Sequence, residues 1–453
     1  MKSLSRIFSA LLLCALLCTF TLWRKEALPD LTGVSDTLKN AMLSEDGPLA
    51  NLLDKVTPDA GTQTPSHVDS QTVAGVSEAL DALMSGAIGE LQTEVNVSDL
   101  KMHKDEFRQQ MELFFLTHPE FFFVSTGYHL SSHPNTELAV KVTLQYLYDA
   151  EQIPEMQTQY EQTLQQIVSG IPQGYGQFDQ VLYLHDYLVQ NFAYDYVGLR
   201  QEEMNNATSG VAIRDAYRFF TEGRGVCQGY TLAFMALCAE LDIRNVPVTC
   251  EALNHVWNLV EVDGEWYHVD VTHDDPGGEQ SVVYPSYVSY EFFLLSNKAL
   301  YALPERNHIW QASQKAESKL YDDAVWHAAT TPMVKYGDHY YCTLYQQNGV
   351  GLYGGAPTQM QKLTDLHADW GYNSAWAGLV LWQGALICNT QNAFYRYDLQ
   401  TGESRMIGLL VPELGPLNIF GLCGISESGV ITYVAASEYH GAFEKRTWTV
   451  PAA

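Results

Sequence analysis

Apolar residues recur at three- and four-residue intervals in some stretches of this chain and at alternate positions in others, and these two periods predict its elements. Phe178, Val181, Leu182, His185, Leu188, Val189 and Phe192 keep helical spacing, which predicts a helix packed on a core. His185 lies on its apolar stripe and reads as a hydrogen-bonded core histidine. Val76–Leu83 and Ser98–Phe115 also read as helical, the second with Ser98 as its cap, and Leu164–Val168 closes another helix. Phe121–Tyr128 and Leu138–Tyr146 read as extended, so 76–170 is expected to form a small α/β domain.

Two further patterns lie between Gly223 and Pro276. GRGVCQGYTLAFMALCAEL sets Cys227 directly before a helical pattern whose stripe is Tyr230, Phe234, Leu237, Cys238 and Leu241. LNHVWNLVEV and EWYHVDVTH alternate and flank Asp263-Gly264, a two-residue type I′ turn signal, so they predict a hairpin. That turn sets Val262 opposite Glu265, Trp257 opposite Asp270 and His255 opposite Thr272. His255 and Asp270 are then diagonal neighbours on one face, within about 8 Å of each other.

Beyond about residue 316 the texture changes to short strand-like runs. VKYGDHYYCTLY, VLWQGALICNT and GISESGVITYV recur about every 45 residues, a spacing like that of propeller blades. Three such units are too few for the usual closed ring, which leaves an open set of antiparallel sheets or a sandwich equally open. At the other end, Lys2 and Arg6 precede the apolar run Ile7–Trp23, the form of an export signal. No small-residue cleavage pattern follows, so 1–25 is expected to be a signal peptide or a retained membrane anchor, with 26–75 as a flexible linker.

Composition narrows the function. Of 453 residues 46% are hydrophobic and 17% charged, as in globular proteins, and the net charge of −28 argues against nucleic acid as a partner. The cysteines show no disulfide framework and no CxxC pair. The sequons at Asn96 and Asn206 carry no weight without a host.

A thiol at a helix N-terminus is favoured as thiolate by the unpaired amides and the positive end of the helix dipole. With His255 as base and Asp270 as its orienter, Cys227 has the partners of a nucleophilic triad. Each of the three alone reads as structural; their combined geometry favours chemistry. Gly225 and Gly229 leave room for a substrate backbone, Gln228 is a candidate for orienting substrate, and Trp257 and Trp266 are candidates for lining the cleft. Cys227, His255 and Asp270 lack an evident fourth ligand, so no metal is expected. HDDPGGE (273–279) lacks calcium-loop spacing and reads as a solvated turn.

At GVCQGYT, NHVWNLV and WYHVDVTHDDP, and less closely over 178–310, the chain resembles the transglutaminase-like superfamily. HPEFFFV (118–124) is similar to the small domain that often precedes this core in exported bacterial members. The resemblance implies an α+β fold: a papain-like transglutaminase core over 171–315, preceded by the small α/β domain over 76–170 and followed by an all-β, blade-like repeat domain over 316–453. It also implies Cys227 as nucleophile, His255 as base and Asp270 as orienter, with no cofactor. Where members commonly carry an aromatic after the Thr of this motif, His273 stands here. The expected activity is acyl transfer on peptide or protein amides at the cell envelope through a thioester. Hydrolysis of the same bonds by a cysteine peptidase or amidase, or a non-catalytic envelope binding module, are the alternatives.

Overall fold

The computed structural model describes residues 71–72, 74–205, 214–276, 286–304, 306, 308–346, 349–366, 378–410, 418–436 and 444–451. The expected export segment 1–25, nearly all of the expected linker and the sequon at Asn206 lie outside the described residues. Among the described residues no helix is long and apolar enough to cross a membrane.

Helix α1 (Glu78–Gly89) begins at Ser77, whose hydroxyl accepts from the Leu80 N–H, and helix α2 (Lys104–Thr117) begins at His103. The helix expected from a cap at Ser98 therefore starts five residues later, at His103. Residues 98–100 form a 3-10 turn closed by Lys101 in the left-handed region (φ 52°), which a continuing helix does not admit. The stretch expected to be extended from Phe121 also differs: Pro119–Phe121 is a 3-10 turn, and Phe122, Phe123 and Val124 are all buried. A continuous apolar run does not reveal its period. Strands β2 (Glu94–Asn96), β3 (His129–Ser132) and β4 (Ala139–Thr143) form a small antiparallel sheet with β4 in the centre.

Helices α3 (Ile153–Val168) and α4 (Gln177–Asn191) lead into the core. After β5 (Ala193–Tyr194), α5 (Tyr196–Asn205), α6 (Ala216–Glu222) and β6 (Arg224–Gly225), which pairs with β5, comes α7 (Cys227–Ala239), the central helix. Between Cys227 and Cys238 every residue of α7 except Gln228 is buried, rather than one stripe of it. A helix apolar all round belongs inside a protein.

One side of α7 faces a six-stranded sheet built on β7 (Asn245–Cys250), β8 (His255–Val262), β9 (Glu265–Val269) and β10 (Phe293–Leu295), with the two-residue strands β1 (Gln71–Thr72) and Gln311–Ala312 on the far side of β7. The β8–β9 hairpin has the expected register, from Val262↔Glu265 to Asn258↔Val269, and Asp263 and Gly264 turn it with positive φ (53° and 87°). Pairing then stops. Asp270 leaves the strand to cap the short helix α8 (Val271–Asp274), and its own N–H is held by the Phe292 carbonyl at 3.1 Å.

The C-terminal region is a series of antiparallel meanders. The first is β11 to β14 in chain order after the core: β11 (Val334–Tyr336), β12 (His339–Gln346), β13 (Gly349–Gly355) and β14 (Gln361–Leu366). The second comprises β15 (Leu379–Trp382), β16 (Ala385–Asn389), β17 (Ala393–Asp398) and β18 (Ser404–Leu409). The third has β19 (Asn418–Ile425), β20 (Val430–Ala436) and β21 (Glu444–Thr449). Among the described residues no closed ring of blades forms.

Alternation along each strand explains the stacking. Tyr340, Cys342 and Leu344 face the core of the molecule while Tyr341 faces the second sheet. In β16, Leu386 and Cys388 pack on the first sheet and Ile387 on the third, so ALICN is buried on both faces and reads as an unbroken apolar run. The series is tied to the core at both ends. The Lys335 ammonium and Tyr340 hydroxyl bind the Asp179 carboxylate of α4, and the Ser286 hydroxyl donates to the Phe420 carbonyl at 2.6 Å. Gly421 makes that approach possible: its φ is 112°, and a Cβ there would meet Ser286 at 2.5 Å.

Candidate active site

Helix α7 is fixed on strand β8 one turn below Cys227. The Thr231 hydroxyl donates to the Val256 carbonyl at 3.0 Å, and Asn258 Nδ2 donates to the Thr231 carbonyl at 3.2 Å. Thr231 is four residues from Cys227 and so lies on the same face, which directs the Cys227 thiol at His255 and Val256. No side chain caps this helix end among the described residues, leaving its first amides open.

Cys227 faces His255, and His255 Nε2 lies 2.7 Å from Asp270 Oδ2. Burial alone raises the Cys227 thiol; the hydrogen bond and charge of His255, with the Val256 N–H, outweigh it and hold the thiol below its usual range. Burial likewise pulls His255 down, but the charge and hydrogen bond of Asp270, then Cys227, push it up to about 9. At neutral pH the ring is therefore the imidazolium, with Nε2–H donating to the Asp270 carboxylate. Asp270 is 1% exposed; burial favours its neutral form, yet His255 and His273 hold it well below the usual carboxylate range.

The structure brings Cys227, His255 and Asp270 together and adds residues that the pattern did not single out for this cluster. His273 Nδ1 lies 2.8 Å from the same Asp270 Oδ2, its N–H donates to Oδ1 at 3.2 Å, and Arg306 Nη2 lies 3.5 Å from Oδ2. The one sequence signal was the histidine standing where an aromatic is usual; Arg306 left none. Gln228 is half-buried beside Cys227 and faces outward.

The tryptophans do not line a cleft at Cys227. Trp257 is 2% exposed, with His255 stacked on it at 5.5 Å and Trp310 edge-on at 6.3 Å. Its indole N–H donates to His268 Nδ1 at 3.0 Å, so His268 is the neutral Nε2–H tautomer, donating to Asn297 Oδ1 at 2.8 Å. Burial pulls His268 down to about 4 in agreement. Trp257 therefore backs the His255 ring. Trp266 pairs with Glu261, four residues or about 13 Å of strand from Asp270, under the Arg244 guanidinium. Gly225 and Gly229 are both buried, so the close approach they allow is between elements of the fold.

HDDPGGE is no solvated turn over its described part. Asp274 is fully buried and binds His185 Nε2 at 3.1 Å, and Asp275 accepts from the Tyr230 hydroxyl; 277–279 lie outside the described residues. His185 Nδ1 meets Asp186 at 3.0 Å, so this core histidine stands between two carboxylates as a cation, pushed up to about 9. Replacing His185 by Gln leaves two buried carboxylates without their cation and is expected to lower stability by about 3–5 kcal/mol at pH 6. A histidine raised in the folded state stabilises fully below the unfolded value and loses that contribution as pH rises. The gap to wild type in thermal melts should therefore narrow between pH 6.5 and about 9; a gap constant over that window shows a neutral His185.

Comparison with known proteins bears on the core. The family model of the Transglutaminase-like superfamily matches residues 161–271. Similar solved structures include a TGase (12% identity, 38% of this chain and 48% of that one, TM-score 0.24). Others are a candidate cysteine protease from Cytophaga hutchinsonii (18%, 35% and 66%, TM-score 0.21) and a candidate gluconolactonase (19%, 29% and 49%, TM-score 0.18). The chain thus spans less than two thirds of the length of each. No curated protein matches it. The matched segment holds α4, α7 and the β8–β9 hairpin together with Cys227, His255 and Asp270, so residues 161–271 are similar to the core of the transglutaminase-like superfamily.

Proposed function

We propose that the protein is a cysteine acyltransferase acting on peptide or protein amides at the cell envelope, delivered there by its N-terminal segment. The observation that carries this reading is the placing of Cys227 against His255, whose Nε2 lies 2.7 Å from Asp270 Oδ2, at the open end of α7. The Cys227 thiolate attacks the amide carbon, and the backbone amides of the first turn of α7 hold the oxyanion. His255 gives its proton to the leaving amine as the tetrahedral intermediate collapses to a thioester. A second amine attacks the thioester, His255 takes up its proton, and the new amide leaves. Asp270 keeps the ring oriented and stabilises its cation through the cycle. Gln228, the one outward-facing residue of that turn, is the proposed contact for the substrate amide.

Incubating the protein with a glutamine-containing protein and a fluorescent primary amine should give amine incorporation, read by mass spectrometry, that is absent in Cys227→Ala. Deamidation or cleavage without incorporation, also lost in that variant, would instead establish a hydrolase. Neither product, with Cys227 inert to iodoacetamide, would leave a binding module.

A further inference from the structure

Three metal-ligating atoms converge where the mechanism uses only two. His255 Nε2, Asp270 Oδ2 and His273 Nδ1 all lie within 4.8 Å of one another, with the two imidazoles edge-on at 4.4 Å. Two imidazoles and a carboxylate form a donor set that suits zinc and leaves a coordination position for water. The contacts of 2.7 and 2.8 Å are those of donors bridged by shared protons. Zinc bonds of about 2.0–2.1 Å need donors roughly 3.3 Å apart, so spreading the two Asp270 pairs by about half an ångström, with the imidazole nitrogens, now within 4.8 Å of each other, settling at the same spacing, lets one ion replace both protons. The His273 side chain is 39% exposed and gives an ion a route in, while Asp270 is buried behind it. Arg306, 3.5 Å from the same oxygen, is the cation that opposes binding.

We infer that His255, Asp270 and His273 form an inhibitory zinc site, in which Zn²⁺ takes the face of His255 turned away from Cys227. The inhibition rests on the acyl chemistry proposed above; the site itself does not. Coordination needs Nε2 unprotonated, so binding releases a proton from His255 to solvent. The ring keeps Nδ1–H toward Cys227, and giving that proton to a leaving amine would create an imidazolate. The leaving group therefore goes unprotonated and turnover stops. Asp270, engaged by the metal, no longer orients the ring.

The test uses the full chain carrying Cys227→Ala, titrated with zinc against a chromophoric chelator at neutral pH. One zinc per chain is expected, since Cys227 lies on the other side of the ring, and magnesium, which prefers oxygen donors, should not compete. His273→Gln in that background should weaken binding at least tenfold, Arg306→Gln should tighten it, and His129→Gln, on an exposed strand, should leave it unchanged. In the chain with Cys227 intact, zinc should suppress amine incorporation with the same dependence on His273. Zinc binding that is indifferent to His273→Gln, or that needs Cys227, overturns the site. Turnover that zinc at saturating occupancy leaves untouched overturns the inhibition. His273-dependent binding in a chain that shows no acyl turnover at all upholds the metal site and overturns the acyl reading instead.

Discussion

His255→Ala should silence the Cys227 thiol. In the intact protein the His255 cation and hydrogen bond outweigh burial; without them Cys227 becomes a buried thiol like Cys238, Cys342 and Cys388, which burial pushes up to about 12. Alkylation by iodoacetamide depends on the thiolate fraction. Labelling of Cys227 at pH 7 should therefore fall by at least about 100-fold, and acyl turnover by about 10⁴-fold or more. Peptide mapping after a short pulse separates Cys227 from the other cysteines. Equal labelling in wild type and variant would remove the ion pair from the mechanism.

Asp270→Asn is expected to have an effect of similar size by a different route. An amide can still accept a hydrogen bond but cannot balance the charge of His255, and substitutions of this kind lower turnover by about 10⁴-fold in Ser-His-Asp enzymes. Here the same carboxylate also faces Arg306, so the variant leaves His255 and Arg306 buried as cations without their anion and should lose about 3–5 kcal/mol of stability. The pH dependence gives the sign. A carboxyl held below its unfolded value stabilises the fold above that value and loses the contribution as pH falls. Wild type should thus lose stability more steeply than Asp270→Asn on acidification below about 4. Parallel melting curves from pH 7 to 3 would show instead that Asp270 carries no charge in the folded protein.

How much of this site the sequence disclosed follows from the range of each interaction. Asp263-Gly264 fixes a hairpin register locally, so the adjacency of His255 and Asp270 follows from the turn residues and the alternation on either side of them. A thiol preceding a helical pattern is equally local. Arg306 and Asp274 reach the cluster through tertiary packing, 36 and 89 residues along the chain from Asp270 and His185, and no periodicity marks them. Trp257 misled because alternation told which face it shared with His255 but not whether that face opened to solvent; Trp310 covers it. Ser98 misled in another way: a good capping residue was followed by Lys101 in the left-handed region, a backbone choice that residue type does not announce. The C-terminal repeats were legible as strands, since each meander is local, while their stacking depends on which of two apolar faces meets which neighbour.

The two ties that join the sheet series to the core have a consequence for how the chain matures. Asp179 of α4 finds Tyr340 and Lys335 more than 150 residues later, and the Ser286 segment, just downstream of α8, finds Phe420 after 134. During synthesis, a chain that has emerged only through β10 already contains Cys227, His255 and Asp270, yet Phe178 and Asp179 await Tyr340 and the Ser286 segment awaits the third sheet. Contacts of such long separation form late. The Cys227 cluster is therefore assembled on a scaffold that sets only when the last strands arrive, so a nascent chain passes through its most exposed stage before that thiol is held in its final surroundings.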